Sequence, residues 1–255
     1  MIRFSAHLGY LFTELPIEQR LEAAARVGFE AVEHPAPFSI PAARMKRLLT
    51  DNGLRMTQVT SGMGEPGEKG IASLPGRETE FRDTYAQALD YAEAIDCPFV
   101  HAMVGVGGDR VTYLGNLDVA QALCEARSPD LLIEAISEAA VPGYHLCSLD
   151  DLLRLGRNRP LHILIDTFHA CVSGHDPAEV LRRADSSLGH VHIADHPGRN
   201  EPGSGTLDFT DILNTLNDLG YAGAVGFEYL PSGADHLQWM PGWRKQRDGF
   251  RKGHP

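Results

Sequence analysis

Gly189-His190-Val191-His192-Ile193-Ala194-Asp195-His196-Pro197-Gly198-Arg199-Asn200-Glu201-Pro202-Gly203-Ser204-Gly205 begins as a strand and ends as a loop. Successive side chains of a strand point to opposite faces, so His190 and His192 share one face while Val191 and Ile193 fill the other. Past Ala194 the chain turns to Pro and Gly yet keeps placing charge, at Asp195, Arg199 and Glu201. That is too polar for core and reads as the mouth of a binding site. A helix from Thr210 to Leu219 follows, and the unit of apolar strand, polar strand end, loop and helix recurs along the whole chain.

Upstream, Ile2 to His7 leads to a helix from Ile17 to Val27, and Ala31-Val32-Glu33 to a helix from Ala42 to Asn52 closed by Gly53 as a left-handed cap. Arg55 to Thr60 precedes a Gly-rich loop, Ser61 to Gly76, and a helix from Glu78 to Ile95. Phe99 to Met103 ends in Gly105, Gly107 and Gly108 ahead of a short helix near Leu117 to Ala126. Leu131 to Glu134 pairs with a helix near Ser148 to Leu155, capped by Ser148, and Leu161 to Asp166 with Pro177 to Ala184, capped by Asp176 with Pro177 at the first position. Downstream, Ala224 to Tyr229 is the eighth strand and His236 to Phe250 a weakly patterned last helix. Continuous apolar strands alternating with helices specify a parallel sheet covered by helices. A doubly wound sheet alternates too, but eight evenly spaced short repeats favour closure into a single-domain (β/α)8 TIM barrel over residues 1–255.

Composition narrows the function. The 255 residues are 43% hydrophobic, enough for one large core, and contain no linker-like tract. A net charge of −11 argues against a phosphate-backbone footprint, so no nucleic acid partner is expected. Cys97, Cys124, Cys147 and Cys171 lack any C-x-x-C spacing, which points to reduced thiols in a cytoplasm. No signal-peptide core precedes His7, and no apolar run approaches the roughly 20 residues of a membrane helix, so no membrane partner is expected.

In a TIM barrel the active site lies at the C-terminal ends of the strands. Those ends carry His7, Glu33, Thr60, His101, Glu134, Asp166, His192 and Glu228. Glu134, Asp166, His192 and Glu228 stand on strands five to eight, which are neighbours, so their side chains can converge. Three carboxylates and an imidazole form a hard site suited to one divalent ion, Mn²⁺, Mg²⁺ or Co²⁺. Without a cation three such carboxylates repel. Each residue has a blander reading as well: the glutamates as solvated strand ends, Asp166 as a turn cap, His192 as a core histidine. His169 and Arg199 are candidates for holding substrate oxygens, and His7 and His101 lie at the same rim.

These residues, with Leu11-Phe12-Thr13-Glu14-Leu15-Pro16, Glu68-Lys69-Gly70-Ile71-Ala72, Leu74-Pro75-Gly76-Arg77-Glu78, Val141-Pro142-Gly143-Tyr144 and Pro197 to Gly203, make the chain resemble the hydroxypyruvate isomerase family. That family lies among the xylose-isomerase-like barrels, with the tagatose and psicose 3-epimerases and endonuclease IV. The resemblance implies that Glu134 and Glu228 bind the ion and exchange the substrate proton, that Asp166 and His192 complete the ligand set, and that His169 and Arg199 face a small hydroxy-oxo acid or sugar. It implies an enediolate reaction interconverting hydroxypyruvate and tartronate semialdehyde. Ketose 3-epimerisation, 2-oxo-tetronate isomerisation, polyol dehydration and non-catalytic binding are the alternatives, and a homo-oligomer is possible. The chain departs from the family at His192, where Gln is usual, and at Ile133-Glu134-Ala135-Ile136-Ser137, where I-E-P-x-N is usual.

Overall fold

Pairing of the first strand with the last decides between the two architectures. In the computed structural model, which describes residues 2–250, strand β1 (Arg3–His7) is hydrogen-bonded to β8 (Ala224–Phe227) as well as to β2 (Ala31–His34). The ring continues through β3 (Arg55–Ser61), β4 (Phe99–Ala102), β5 (Asp130–Glu134), β6 (His162–Asp166) and β7 (Leu188–Ile193), every strand parallel to its neighbours. The sheet is a closed barrel in sequence order, and the doubly wound alternative is excluded.

Register places the strand-end residues together. His7 is level with Glu33, Thr60 with His101, and Asp166 with His192. The alternation read at His190 and His192 holds: both rings turn into the barrel, where they meet Glu33, while buried Val191 and Ile193 belong to the hydrophobic core. At β8 the outward residue is Phe227, which stacks on Trp239 at 4.1 Å and meets Phe4 of β1 edge-on at 5.3 Å. Large buried aromatics of this kind fasten the last turn of the fold onto the seam that closes the barrel.

The helices are α1 (Ile17–Val27), α2 (Ala42–Asp51), α3 (Glu78–Ala94), α4 (Arg110–Cys124), α5 (Leu149–Asn158), α6 (Thr167–Val172), α7 (Pro177–Ala184), α8 (Phe209–Asp218) and α9 (Met240–Gly249). Gly28 and Gly53 take left-handed conformations where α1 and α2 end. Ser148 and Asp176 cap α5 and α7 as their positions imply. Several boundaries differ from the expectation above, three of them with consequences for the site or its frame. Helix α4 begins well before Leu117, because the Asp109 carboxylate accepts from Thr112 N–H and starts a helix directly after the glycines. Helix α9 starts only at Met240, and β8 stops at Phe227, leaving Glu228 just beyond the ladder. The short α6 has no counterpart among the expected elements; it grows from β6 without a loop because the Asp166 side chain itself caps it.

Candidate active site

Asp166 shows how one side chain can serve fold and site together. Its Oδ1 accepts the N–H groups of Phe168 and His169, at 2.7 and 3.3 Å, and so caps α6. Its Oδ2 is buried without a hydrogen-bond partner, and so are Glu134 Oε1 and His192 Nδ1. One ligand atom from each of Glu134, Asp166 and His192 lies within 4.8 Å of the other two. Leaving a buried polar atom unpaired costs about 1–3 kcal/mol, so three facing one another mark a place built for something they can all bind. Two carboxylates and an imidazole could hold a metal ion.

The fourth rim residue, Glu228, lies beside this trio but is differently engaged. Its Oε2 accepts from Arg199 Nη2 at 2.7 Å and stands 3.2 Å from His192 Nδ1, while Oε1 is 3.5 Å from His7 Nε2. Arg199 also reaches to 3.6 Å from Asp166, with its guanidinium against the rings of Tyr10 and Phe168. The two glutamates are therefore unlike. Burial and the nearby carboxylates Asp166 and Glu228 push Glu134 well above the usual carboxylate range, against the pull of His192 and Arg199. Burial acts the same way on Glu228, but Arg199, His192 and His7 outweigh it and hold that carboxyl well below the usual range.

Histidines line the rest of the cavity, which is about 190 Å³. His7 accepts from Gly9 N–H at Nδ1, so its neutral ring presents Nε2–H to Glu228. His101 stands 3.9 Å from Glu134, and Ser137 Oγ lies 3.0 Å from His169 Nδ1. Burial lowers all three, His101 to about 3, so at neutral pH they are uncharged hydrogen-bonding groups. The expected residues His7, His101, Glu134, His169, His192, Arg199 and Glu228 all border this cavity. Asp166 lies next to it, its Oδ2 3.6 Å from Arg199 Nη2, and Glu33 is fully buried against His190 and His192.

Two features lie beyond what the sequence signals. Lys69 borders the cavity although it sits in the loop between β3 and α3. Its backbone is left-handed (φ 56°), and next to it Gly70 lies so close to Met103 that a Cβ there would be 2.4 Å from the Met103 carbonyl oxygen. Only glycine allows that approach, and it lays the loop over the β4 end. Second, Asp195 is an organising residue and not a surface charge: it is 1% exposed and accepts four backbone N–H groups of the loop that carries Arg199. The Gly and charge pattern marks the loop after Ala194 as a binding mouth, but it does not say which side chains either loop aims. A larger recess of about 530 Å³ opens at the opposite end of the barrel beside Arg3, Arg55 and His190, away from the Glu134, Asp166 and His192 cluster.

Comparison with known proteins places this geometry in context. The model of the family described as xylose isomerase-like TIM barrel matches residues 21–252. A protein of Pectobacterium atrosepticum named 2-oxo-tetronate isomerase is 34% identical over 97% of this chain and 100% of its own length. One of Escherichia coli named hydroxypyruvate isomerase is 33% identical over 96% of this chain and all of its own. Among solved structures, one described as AP endonuclease, family 2, from Brucella melitensis superposes with a TM-score of 0.90 at 33% identity, covering 95% of this chain and 99% of that one.

Proposed function

Since this chain belongs to the xylose isomerase-like TIM barrel family, we propose that it is an isomerase of short 2-oxo acids bearing a hydroxyl on the adjacent carbon. Hydroxypyruvate, giving tartronate semialdehyde, is the first substrate, and a four-carbon 2-oxo acid the second. The observation that carries the reading is the trio of unpaired buried donors on Glu134, Asp166 and His192, with Glu228 beside them. Glu134, Asp166 and His192 would hold one divalent ion, Mn²⁺, Mg²⁺ or Co²⁺, with Glu228 next to it. When bound, such an ion supplies Lewis-acid stabilisation of negative charge on the substrate oxygens.

The protein groups account for the rest of the chemistry. Isomerisation of hydroxypyruvate removes a proton from the hydroxymethyl carbon and returns one to the neighbouring carbon, while the hydroxyl proton passes from the first oxygen to the second. Glu134 and Glu228 form the pair that takes and gives the carbon-bound proton, positioned on either side of the substrate carbons. Neutral His7, His101 and His169 are placed to hydrogen-bond the hydroxyl and oxo groups. Arg199 and Lys69 supply positive charge for the carboxylate, which a neutral ketose lacks. The small cavity, about 190 Å³, is below the usual ligand-pocket range of roughly 300–1,000 Å³ and favours three or four carbons over a hexose. Cysteines 97, 124, 147 and 171 are free, in keeping with a cytoplasmic enzyme, and no described helix is long and apolar enough to cross a membrane.

The test is proton NMR in D₂O with Mn²⁺-treated enzyme and a panel of hydroxypyruvate, a four-carbon 2-oxo acid and neutral ketoses. Deuterium should enter carbon 2 of the product and carbon 3 of the 2-oxo acid, and chelator should stop it. Exchange confined to carbon 3 of ketoses would replace the isomerase reading with an epimerase one.

A further inference from the structure

Glu33 stands on β2, and no ligand role falls to it. Yet it is fully buried and reaches across the barrel to strand β7, where its Oε2 lies 2.9 Å from His190 Nε2 and 2.9 Å from His192 Nε2. The same oxygen accepts from Gln58 Nε2 at 3.2 Å. An ionised carboxylate only accepts hydrogen bonds, so both rings must carry their proton on Nε2. For His192 this leaves Nδ1 as the atom turned toward the site: it has no hydrogen-bond partner and stands 3.2 Å from Glu228 Oε2, and His192 shares with Glu134 and Asp166 a group of ligand atoms within 4.8 Å of one another. Strand β8 makes room for the carboxylate. Gly226, level with His192, has no side chain, and a Cβ there would lie 2.0 Å from Glu33 Oε1.

We propose that Glu33 is a positioning residue: clamped by His190 and Gln58, it fixes the ring orientation and tautomer of His192 so that Nδ1 is presented to a divalent cation. The inference rests on the metal-site reading above. Glu33, His190 and His192 are themselves close enough to suggest a second ion. The donors argue otherwise, because Oε2 already accepts three hydrogen bonds and both rings spend Nε2 on it. A carboxylate behind a ligand histidine fixes its tautomer and raises its basicity.

The experiment is Mn²⁺ titration of the chelator-treated full-length chain, with free Mn²⁺ read by electron paramagnetic resonance, for the wild type, Glu33→Gln and His190→Gln. Thermal melting without metal and the absorption spectrum of the Co²⁺-loaded protein accompany it. The wild type should bind one ion per chain. Glu33→Gln should bind about 10- to 100-fold more weakly, with a changed Co²⁺ spectrum and a metal-free melting temperature close to wild type. His190→Gln should show a smaller loss in the same direction, and its affinity and spectrum decide the matter if Glu33→Gln does not fold. Unchanged affinity and spectrum in the folded variants overturn the role of Glu33 and leave the metal site standing. Two ions in the wild type and one in Glu33→Gln overturn it in favour of a direct ligand. A wild type that binds no ion overturns the site reading and this inference together.

Discussion

Replacing Asp195 by Asn tests whether the loop carrying Arg199 is part of the catalytic apparatus. Asp195 Oδ1 accepts from His196 and Leu207 N–H at 2.8 and 3.1 Å, and Oδ2 from Gly203 and Gly205 N–H at 2.9 and 2.8 Å. Asparagine keeps one oxygen and puts an NH₂ at the other position. Whichever way the amide turns, two backbone N–H groups lose their acceptor and face a donor. Hydrogen bonds to a charged group contribute about 1.5–3 kcal/mol each. Gly203 and Gly205 are exposed and can turn to water, so the lower end applies, about 3 kcal/mol for the pair. Loops open locally at free energies of a few kcal/mol or less, so this loss falls on the ordering of the loop before it reaches the global fold. Arg199 loses its fixed approach to Glu228, and at about 1.4 kcal/mol per tenfold kcat/KM should fall about 100-fold. The assays are steady-state kinetics on the 2-oxo acid, amide hydrogen exchange at residues 196–207, and thermal melting. Faster exchange in the loop with unchanged kcat/KM would refute the link between loop order and catalysis. Unchanged exchange would refute the structural role of Asp195 itself.

Glu134→Gln and Glu228→Gln should each lower kcat by at least about 1,000-fold, in the range of lost acid–base function, with melting temperatures near wild type; residual rates within about tenfold of wild type in both would remove them from proton transfer. Lys69→Met should raise KM for the 2-oxo acid about tenfold, as for one lost exposed charge-assisted contact, and leave kcat nearly unchanged; an equal effect on a neutral ketose would show that Lys69 does not read the carboxylate. His34 supplies a pH prediction. Burial, then the neighbouring His7 and Arg20, lower it from 6.5 to about 4, and its Nδ1 accepts from Ala36 N–H. The unfolded chain therefore binds a proton near pH 6.5 that the folded chain refuses until about 4. Stability contributed by neutral His34 is complete above pH 6.5 and is lost as pH falls toward 4. Urea midpoints of the metal-free protein, followed from neutral pH down to about 4, should decline less steeply in His34→Gln; identical slopes contradict the assignment.

Much of this is legible in the sequence because it is local. Apolar runs at strand length, Gly53, Ser148 and Asp176 at helix ends, and a titratable residue at nearly every strand terminus are properties of neighbouring residues, and they suffice for eight strand–helix units and for Glu134, Asp166, His192 and Glu228 at one rim. Where the local signal is ambiguous the boundaries move, as at α4, where Asp109 starts a helix that the preceding glycines mask. Cap and ligand stand as opposed readings of Asp166 in the sequence; the structure shows that they need not compete, since Oδ1 caps α6 and Oδ2 stays unpaired.

Tertiary structure alone decided the partnerships. Glu33 and His192 are 159 residues apart in sequence, and only closure of the ring puts one behind the other. Arg199 meets Glu228 because Asp195 folds its loop inward, and Lys69 reaches the cavity because Gly70 presses its loop onto Met103. Spacing along a chain encodes which face a side chain takes within its own element. Which residue it meets across the barrel depends on register and closure, to which every strand contributes and which no single segment carries.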